Sequence, residues 1–142
     1  MTPSLLFDLA SPVALAGWVI LALSPLAPRL ALPLGGTAIP LGLCAAYVLA
    51  VALWLPGAEG GFDSLPDVQR LFADPGAATA GWIHYLAFDL LVGGWIVRDA
   101  RARGHHHVAT LPCLFLTLML GPAGLLSWLA LRSILPRKEP VA

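Results

Sequence analysis

Apolar residues fill this chain in long unbroken stretches, separated by short polar segments rather than alternating with them. Four stretches have the length of a transmembrane helix, since a bilayer core takes about 20 residues at about 1.5 Å each. They cover about residues 4–26, 37–55, 75–100 and 111–131. The pattern predicts an all-α integral membrane protein, a four-helix bundle forming a single transmembrane domain over residues 1–142. Pro40 falls in the opening turn of the second stretch, where proline is tolerated. Asp74-Pro75 gives the third an N-cap and a first-turn proline, and Gly104 gives it a stop. The fourth carries Pro112 near its start and Gly121-Pro122-Ala123-Gly124 in its middle. Pro122 removes one helical hydrogen bond and frees the Leu118 carbonyl. In a bilayer that carbonyl must meet a neighbour or line a cavity. Between the second and third stretches, Ser64-Leu65-Pro66-Asp67 reads as a helix start, with Leu65, Val68, Leu71 and Phe72 on one face. This predicts a short amphipathic helix over about 65–73, lying on the membrane surface.

Composition sharpens the membrane reading. Of the 142 residues 58% are hydrophobic and 11% charged, against roughly 25% charged in a soluble domain. Disorder and a water-soluble globule are both excluded on that balance. Eight Lys and Arg offset eight Asp and Glu, so there is no basic footprint for nucleic acid. Cys44 and Cys113 lie inside apolar runs and read as small buried hydrophobes, not a disulfide framework. The N-terminus lacks a basic n-region and carries Asp8, so the first stretch reads as retained rather than cleaved. Four spans would put both termini on one side. That side would hold Arg70, Arg132, Arg137 and Lys138, against Arg29, Arg98, Arg101 and Arg103 on the other. The tie leaves orientation open under the positive-inside rule.

The third stretch concentrates the chemistry. At about 100° per residue, Phe88, Trp95, Gly81 and Asp99 fall within about 60° of His84, and Tyr85, Asp89 and Trp82 follow on the same side. Ile83, Leu86, Ala87, Leu90, Leu91, Gly94 and Val97 fill the other side. The expectation is an aliphatic side toward lipid and an aromatic, ionisable side toward protein or a cavity. His84 and Asp89 sit within about 5 Å of the helix midpoint, where an ionisable group costs about 2.5–3.5 kcal/mol. Two such groups either glue helices together through hydrogen bonds or form a site. Four aromatics on the same side favour a site for a flat, apolar, conjugated ligand.

The candidate catalytic residues are therefore His84 and Asp89. Trp82, Tyr85, Phe88 and Trp95, with Gly121, Pro122 and Gly124 from the fourth stretch, are the candidate ligand-binding residues, all expected around one cavity. A five-residue spacing is not that of two metal ligands on one helix, so neither metal nor cofactor is expected. Asp8 reads as interfacial or as a partner in the site. Asp99 is expected to pair with Arg98, Arg101 or Arg103. His105-His106-His107 reads as a polar interfacial segment with His107 turned inward.

Trp82-Ile83-His84, Asp89, Asp99, Pro112-Cys113 and Gly121-Pro122-Ala123-Gly124 together resemble the pattern of the family named for the plant abscisic-acid-deficient-four protein. The similarity covers roughly Ser64 to Ile134, and the high Ala and Gly content is that of a bacterial member. The resemblance implies a small four-spanning membrane protein. It also implies a link to xanthophylls, because the plant member is required for making neoxanthin from violaxanthin in plastids.

Three functions fit these readings. The first is a membrane-embedded enzyme acting on a carotenoid or related isoprenoid lipid by proton-assisted isomerisation or rearrangement. His84 would then be the general acid/base and Asp89 would orient or charge it. The second is a non-catalytic carotenoid-binding or partner-stabilising membrane protein. The third is a small proton-coupled carrier using His84 and Asp89 as a relay. The expected partners are membrane lipid, a carotenoid or other polyene, and further copies of the chain or other membrane proteins. The expected location is a bacterial inner membrane.

Overall fold

The computed structural model describes residues 2–135 and is helical, without strands, through them. Helix α1 covers Pro3–Ala22, its start capped by the Thr2 hydroxyl, which accepts from the Leu5 amide. Helix α2, Pro28–Pro33, passes through a π-helical segment, Leu34–Ala38, into α3, Ile39–Trp54. A polar connection leads to α4, Leu65–Ala73, and then to α5, Pro75–Ala102. A short turn, His107–Thr110, precedes α6, Leu111–Leu120, and α7, Pro122–Ile134. Three helical stretches are long and apolar enough to cross a membrane: α1, the continuous run Pro28–Gly57, and α5.

Helix α5 is the axis of the molecule and packs against α1, α3, α6 and α7. Its seam is written in the sequence as Ala80, Ile83, Ala87, Leu90, Gly94 and Val97, alternately three and four residues apart. Five are 0–4% exposed, and Gly94 is also buried. That spacing is a coiled-coil seam, with small residues at every second position. A Cβ on Gly94 would lie 2.7 Å from the Cα of Gly36. The backbones of α5 and the π-helical segment therefore touch there.

This reverses the expected faces of α5. The aliphatic side, with Ile83, Leu90 and Val97 at 0% exposure, faces the bundle, while Trp82, Tyr85 and Phe88 are 44%, 62% and 52% exposed. The physical reason lies in the solvent. Lipid tails are as apolar as leucine, so hydrophobicity does not choose the buried side. Close packing does, and it selects small and aliphatic residues.

The expected fourth span is corrected as well. Gly121, at φ 47° and ψ −98°, ends α6 and begins α7, and the two helices fold back on each other. A Cβ on Gly124 would lie 2.1–2.5 Å from Oγ1, N and Cα of Thr117, residues that a straight helix holds about 10 Å apart. From this turn beside Asp89, α7 runs back to the level of Asp99, which accepts from Trp128 and Arg132. Helices of 10 and 13 residues reach about 15 and 20 Å, each too short for a bilayer core of about 30 Å. The molecule is thus three long helices with a helical hairpin on one half of α5, not four parallel spans. Consequently Thr2 and Leu135 lie at opposite ends.

Helix α4 packs against α5 through Leu71, which is buried, and Phe72, which covers Gly81. Its start is held by Ser64, whose hydroxyl accepts from the Asp67 amide and donates to the Asp67 carboxylate; Arg70 pairs with the same carboxylate. These two partners hold the Asp67 carboxyl below its ordinary value. The stabilisation is then present above the unfolded value of about 3.9 and disappears as pH falls through the lower folded value. A spin label at Gln69 should gain mobility below about pH 4, and Asp67→Asn should flatten that dependence. Mobility unchanged by acid in the parent chain would contradict it.

Candidate functional site

Trp18, Trp82, Tyr85, Leu86, Asp89, Leu118 and Met119 line a groove of about 220 Å³ between α1, α5 and α6. Its single ionisable carboxyl is Asp89, and its walls are otherwise aromatic and aliphatic. The hairpin turn closes one end. A Cβ on Gly121 would lie 2.7 Å from Asp89 Oδ1, and Gly121 takes a backbone conformation that L side chains rarely adopt. Glycine is therefore needed there twice, for the turn and for the approach of the carboxylate. Helix α7 starts at this turn, so its positive dipole end lies beside Asp89. A helix N-terminus favours a negative group by about 0.3–1 kcal/mol, so it stabilises the carboxylate that forms when Asp89 releases a proton.

The other end of the groove is fixed by Trp82. Its indole N–H donates to Ser11 Oγ at 3.1 Å, and its ring lies 5.7 Å from that of Phe7. Tyr85 stands on the open side. The groove thus faces outward from the helix bundle, where a lipid tail would be, rather than toward an enclosed core.

Of the candidate residues, the structure brings Trp82, Tyr85, Asp89 and Gly121 together. His84 is not among the groove residues. Its ring stacks on Phe88 at 4.5 Å and meets Tyr47 edge-on at 5.2 Å, on the α3 side of α5. Trp95 lies under Arg132, whose guanidinium carbon is 5.4 Å from the ring centre. Pro122 opens α7 and is exposed, and Gly124 is inside the hairpin against Thr117. Asp8 is exposed on α1. The His107 Nε2 donates to the Ala22 carbonyl at 2.9 Å, tying the turn before α6 to the end of α1. Among the described residues, no three His, Cys, Asp or Glu side chains gather as a metal site.

Asp99 has the expected partner Arg103, at 3.1 Å, and two more from α7: Trp128 Nε1 at 2.9 Å and Arg132 Nη1 at 3.1 Å. Arg98 instead donates to the Gly36 carbonyl, and Arg101 to the carbonyls of Ser24 and Pro28. Sequence reasoning missed Trp128 and Arg132, although their four-residue spacing puts them on one helical face. It also missed Trp18, Leu86, Leu118 and Met119 as groove residues. Leu86 falls on the aliphatic side of α5, and Trp18, Leu118 and Met119 become neighbours of Asp89 only through the packing of α1 and α6 on α5.

Fold and groove define a small polytopic membrane protein with a polar group in an outward-facing, largely apolar site. The chain belongs to the ABA DEFICIENT 4-like family, whose family model matches residues 5–128. No curated protein and no solved structure shows significant similarity to it.

Proposed function

We propose that this chain is an enzyme of the bacterial inner membrane that acts on a carotenoid or related isoprenoid lipid, binding one end group of it in the groove at the hairpin turn. The observation that carries this reading is Asp89 in an outward-facing groove otherwise walled by Trp18, Trp82, Tyr85, Leu86, Leu118 and Met119. A volume of about 220 Å³ is below the roughly 300–1,000 Å³ of a site that engulfs a drug-sized ligand. It suits an end group whose polyene tail stays in the lipid. The family's name points the same way, toward a step on the route to abscisic acid.

The reaction class that fits is a proton-assisted isomerisation. A protonated Asp89 gives its proton to an epoxide oxygen of the end group as the carbon–oxygen bond breaks. A neighbouring carbon loses a proton to the Asp89 carboxylate so formed, and its bonding pair becomes a new carbon–carbon double bond. One proton is given and one taken, so the formula of the lipid is unchanged. Asp89 is the group in the groove, so it takes the acid/base role. Tyr85 stands on the same side of α5, between Asp89 and His84 in helical angle, and is the bridge through which His84 would act.

The His84 ring packs between Tyr47 and Phe88 rather than in the groove. That observation favours a second reading, a non-catalytic carotenoid-binding protein. One experiment separates the two. Lipids that co-purify with the protein are extracted and identified by mass, then supplied to the parent chain and to Asp89→Asn, His84→Ala and Tyr85→Phe at matched membrane expression. Catalysis predicts at least a 100-fold loss in Asp89→Asn, in keeping with the factor of about 10²–10⁴ that general acid–base catalysis contributes. A smaller loss is expected in Tyr85→Phe, which keeps the aromatic wall. A pigment bound in every variant and altered by none would leave the binding protein.

A further inference from the structure

We infer that the chain crosses the bilayer three times, that the α6–α7 hairpin enters and leaves from the cytoplasmic face, and that the groove at its turn therefore draws its ligand from the opposite leaflet. Only the last clause rests on the functional reading above.

The contacts sort the chain into two ends. Ala22 accepts from His107, Ser24 and Pro28 accept from Arg101, and Asp99 accepts from Arg132. The end of α1, the start of α2, the end of α5 and the end of α7 therefore share one level. The polar connection and α4, Glu59 to Ala73, lie at the other level, where α5 begins. The hairpin turn sits beside Asp89, ten residues or about 15 Å above Asp99, near mid-bilayer. Irregular backbone at that depth is allowed only where protein covers it, and Gly121 is buried.

Among the described residues four spans would divide the arginines four to two, and this topology makes the division more one-sided. Among the described residues, Arg29, Arg98, Arg101, Arg103 and Arg132 stand at the hairpin end. Arg70 alone stands at the other, beside Glu59, Asp63, Asp67 and Asp74. The count is five to one, and Arg and Lys excess marks the cytoplasmic face. Folding α7 back is what moves Arg132 across the count.

The same hairpin decides where the groove opens. It covers α5 from Asp89 to Asp99, and leaves the half with Trp82, Tyr85 and Phe88 bare. The bare half lies in the leaflet away from the arginines. A lipid whose end group reaches Asp89 must therefore lie in that outer leaflet.

Single cysteines test the topology without any ligand. In a chain carrying Cys44→Ala and Cys113→Ala, the replacements Gln69→Cys, Ala102→Cys and Ser133→Cys are exposed to a membrane-impermeant maleimide in intact cells and in inverted vesicles. All three positions are exposed. Ala102→Cys and Ser133→Cys should label only in inverted vesicles, and Gln69→Cys only in intact cells. Labelling of Ser133→Cys on the side of Gln69→Cys overturns the hairpin, and all three reversed overturns the orientation. If removing the native cysteines prevents folding, a C-terminal fusion to a fluorescent protein that matures only in the cytoplasm answers the same question. It should fluoresce, and a dark, intact fusion overturns the topology. For leaflet access, a fluorophore attached at Tyr85→Cys should be quenched at least twofold more by spin-labelled lipid added to the outer leaflet than by the same lipid confined to the inner one. Equal or reversed quenching overturns that clause while leaving the topology standing. Absence of any co-purified polyene would remove the functional reading without touching either result.

Discussion

Gly124→Ala opens the C-terminal hairpin and costs the protein roughly 2–3 kcal/mol, at the upper end of what one overpacked methyl group does. The added carbon would sit 2.1 Å from Thr117 Oγ1, 2.2 Å from its amide nitrogen and 2.5 Å from its Cα. Two of these are backbone atoms, so no rotamer change relieves the clash. Thr117 cannot retreat, because it is fully buried and its hydroxyl donates to the Cys113 carbonyl at 2.7 Å. The helices must separate, and Trp128 and Arg132 are drawn from Asp99 as they do. Gly42→Ala is the internal control. It lies on α3 with nothing within 4 Å of the new carbon, so alanine should be neutral or stabilise by about 0.5–1 kcal/mol through lower backbone entropy. The midpoint of thermal unfolding in detergent should therefore fall for Gly124→Ala and hold or rise for Gly42→Ala. A Gly124→Ala protein as stable as its parent would mean that the hairpin is not packed as described.

Asp99→Ala is expected to detach α7 from α5. Trp128 is 0% exposed, and its indole N–H would lose the acceptor it has at 2.9 Å. Leaving a buried donor without a partner costs about 1–3 kcal/mol. Arg103 and Arg132 would lose their carboxylate too. Their side chains keep 30% and 27% exposure, so water recovers much of that interaction and its share stays below about 1 kcal/mol each. A total of about 1–5 kcal/mol follows. Asp99→Asn keeps an oxygen for Trp128 and gives up only the charge, so about half of the loss should return. The readout is protease cleavage within α7, faster in Asp99→Ala than in Asp99→Asn. Equal cleavage of the parent and Asp99→Ala would show that the cluster does not hold the helix.

Local signals in the sequence were readable where a single residue decides the outcome. Ser64 starts α4 because its hydroxyl meets the Asp67 amide, and Asp74 starts α5 because its carboxylate meets the amides of Gly76 and Ala77 at 2.8 and 2.9 Å. Facing was not readable in the same way. Angular sorting on α5 separated aromatic from aliphatic residues, but which set meets lipid depends on what packs, and Gly94 against Gly36 is a contact 58 positions away in the chain. Nor could Gly121-Pro122 distinguish a kink from a reversal. Both start from the same local signal, a glycine followed by a proline that has no N–H to donate. The hairpin is selected by Asp99 against Trp128 and Arg132, which is a long-range pairing, and by the packing of Gly124 on Thr117 that it permits. His84 and Asp89 stood out through the cost of burying them, yet cost alone did not tell that the two point to different neighbours.

The short hairpin helices also bear on how the protein is made. A stretch of 10 apolar residues is too brief to be taken up as a span by itself, and α7 carries Arg132 in its last turn. Neither has a stable place in the bilayer until the other lies against it and α5 presents Asp89 and Asp99. Chain order supplies that sequence of events, since α5 leaves the ribosome first. The last step of assembly is then a docking onto an inserted three-helix core. A nascent chain halted at Arg103 would integrate normally yet remain without its groove.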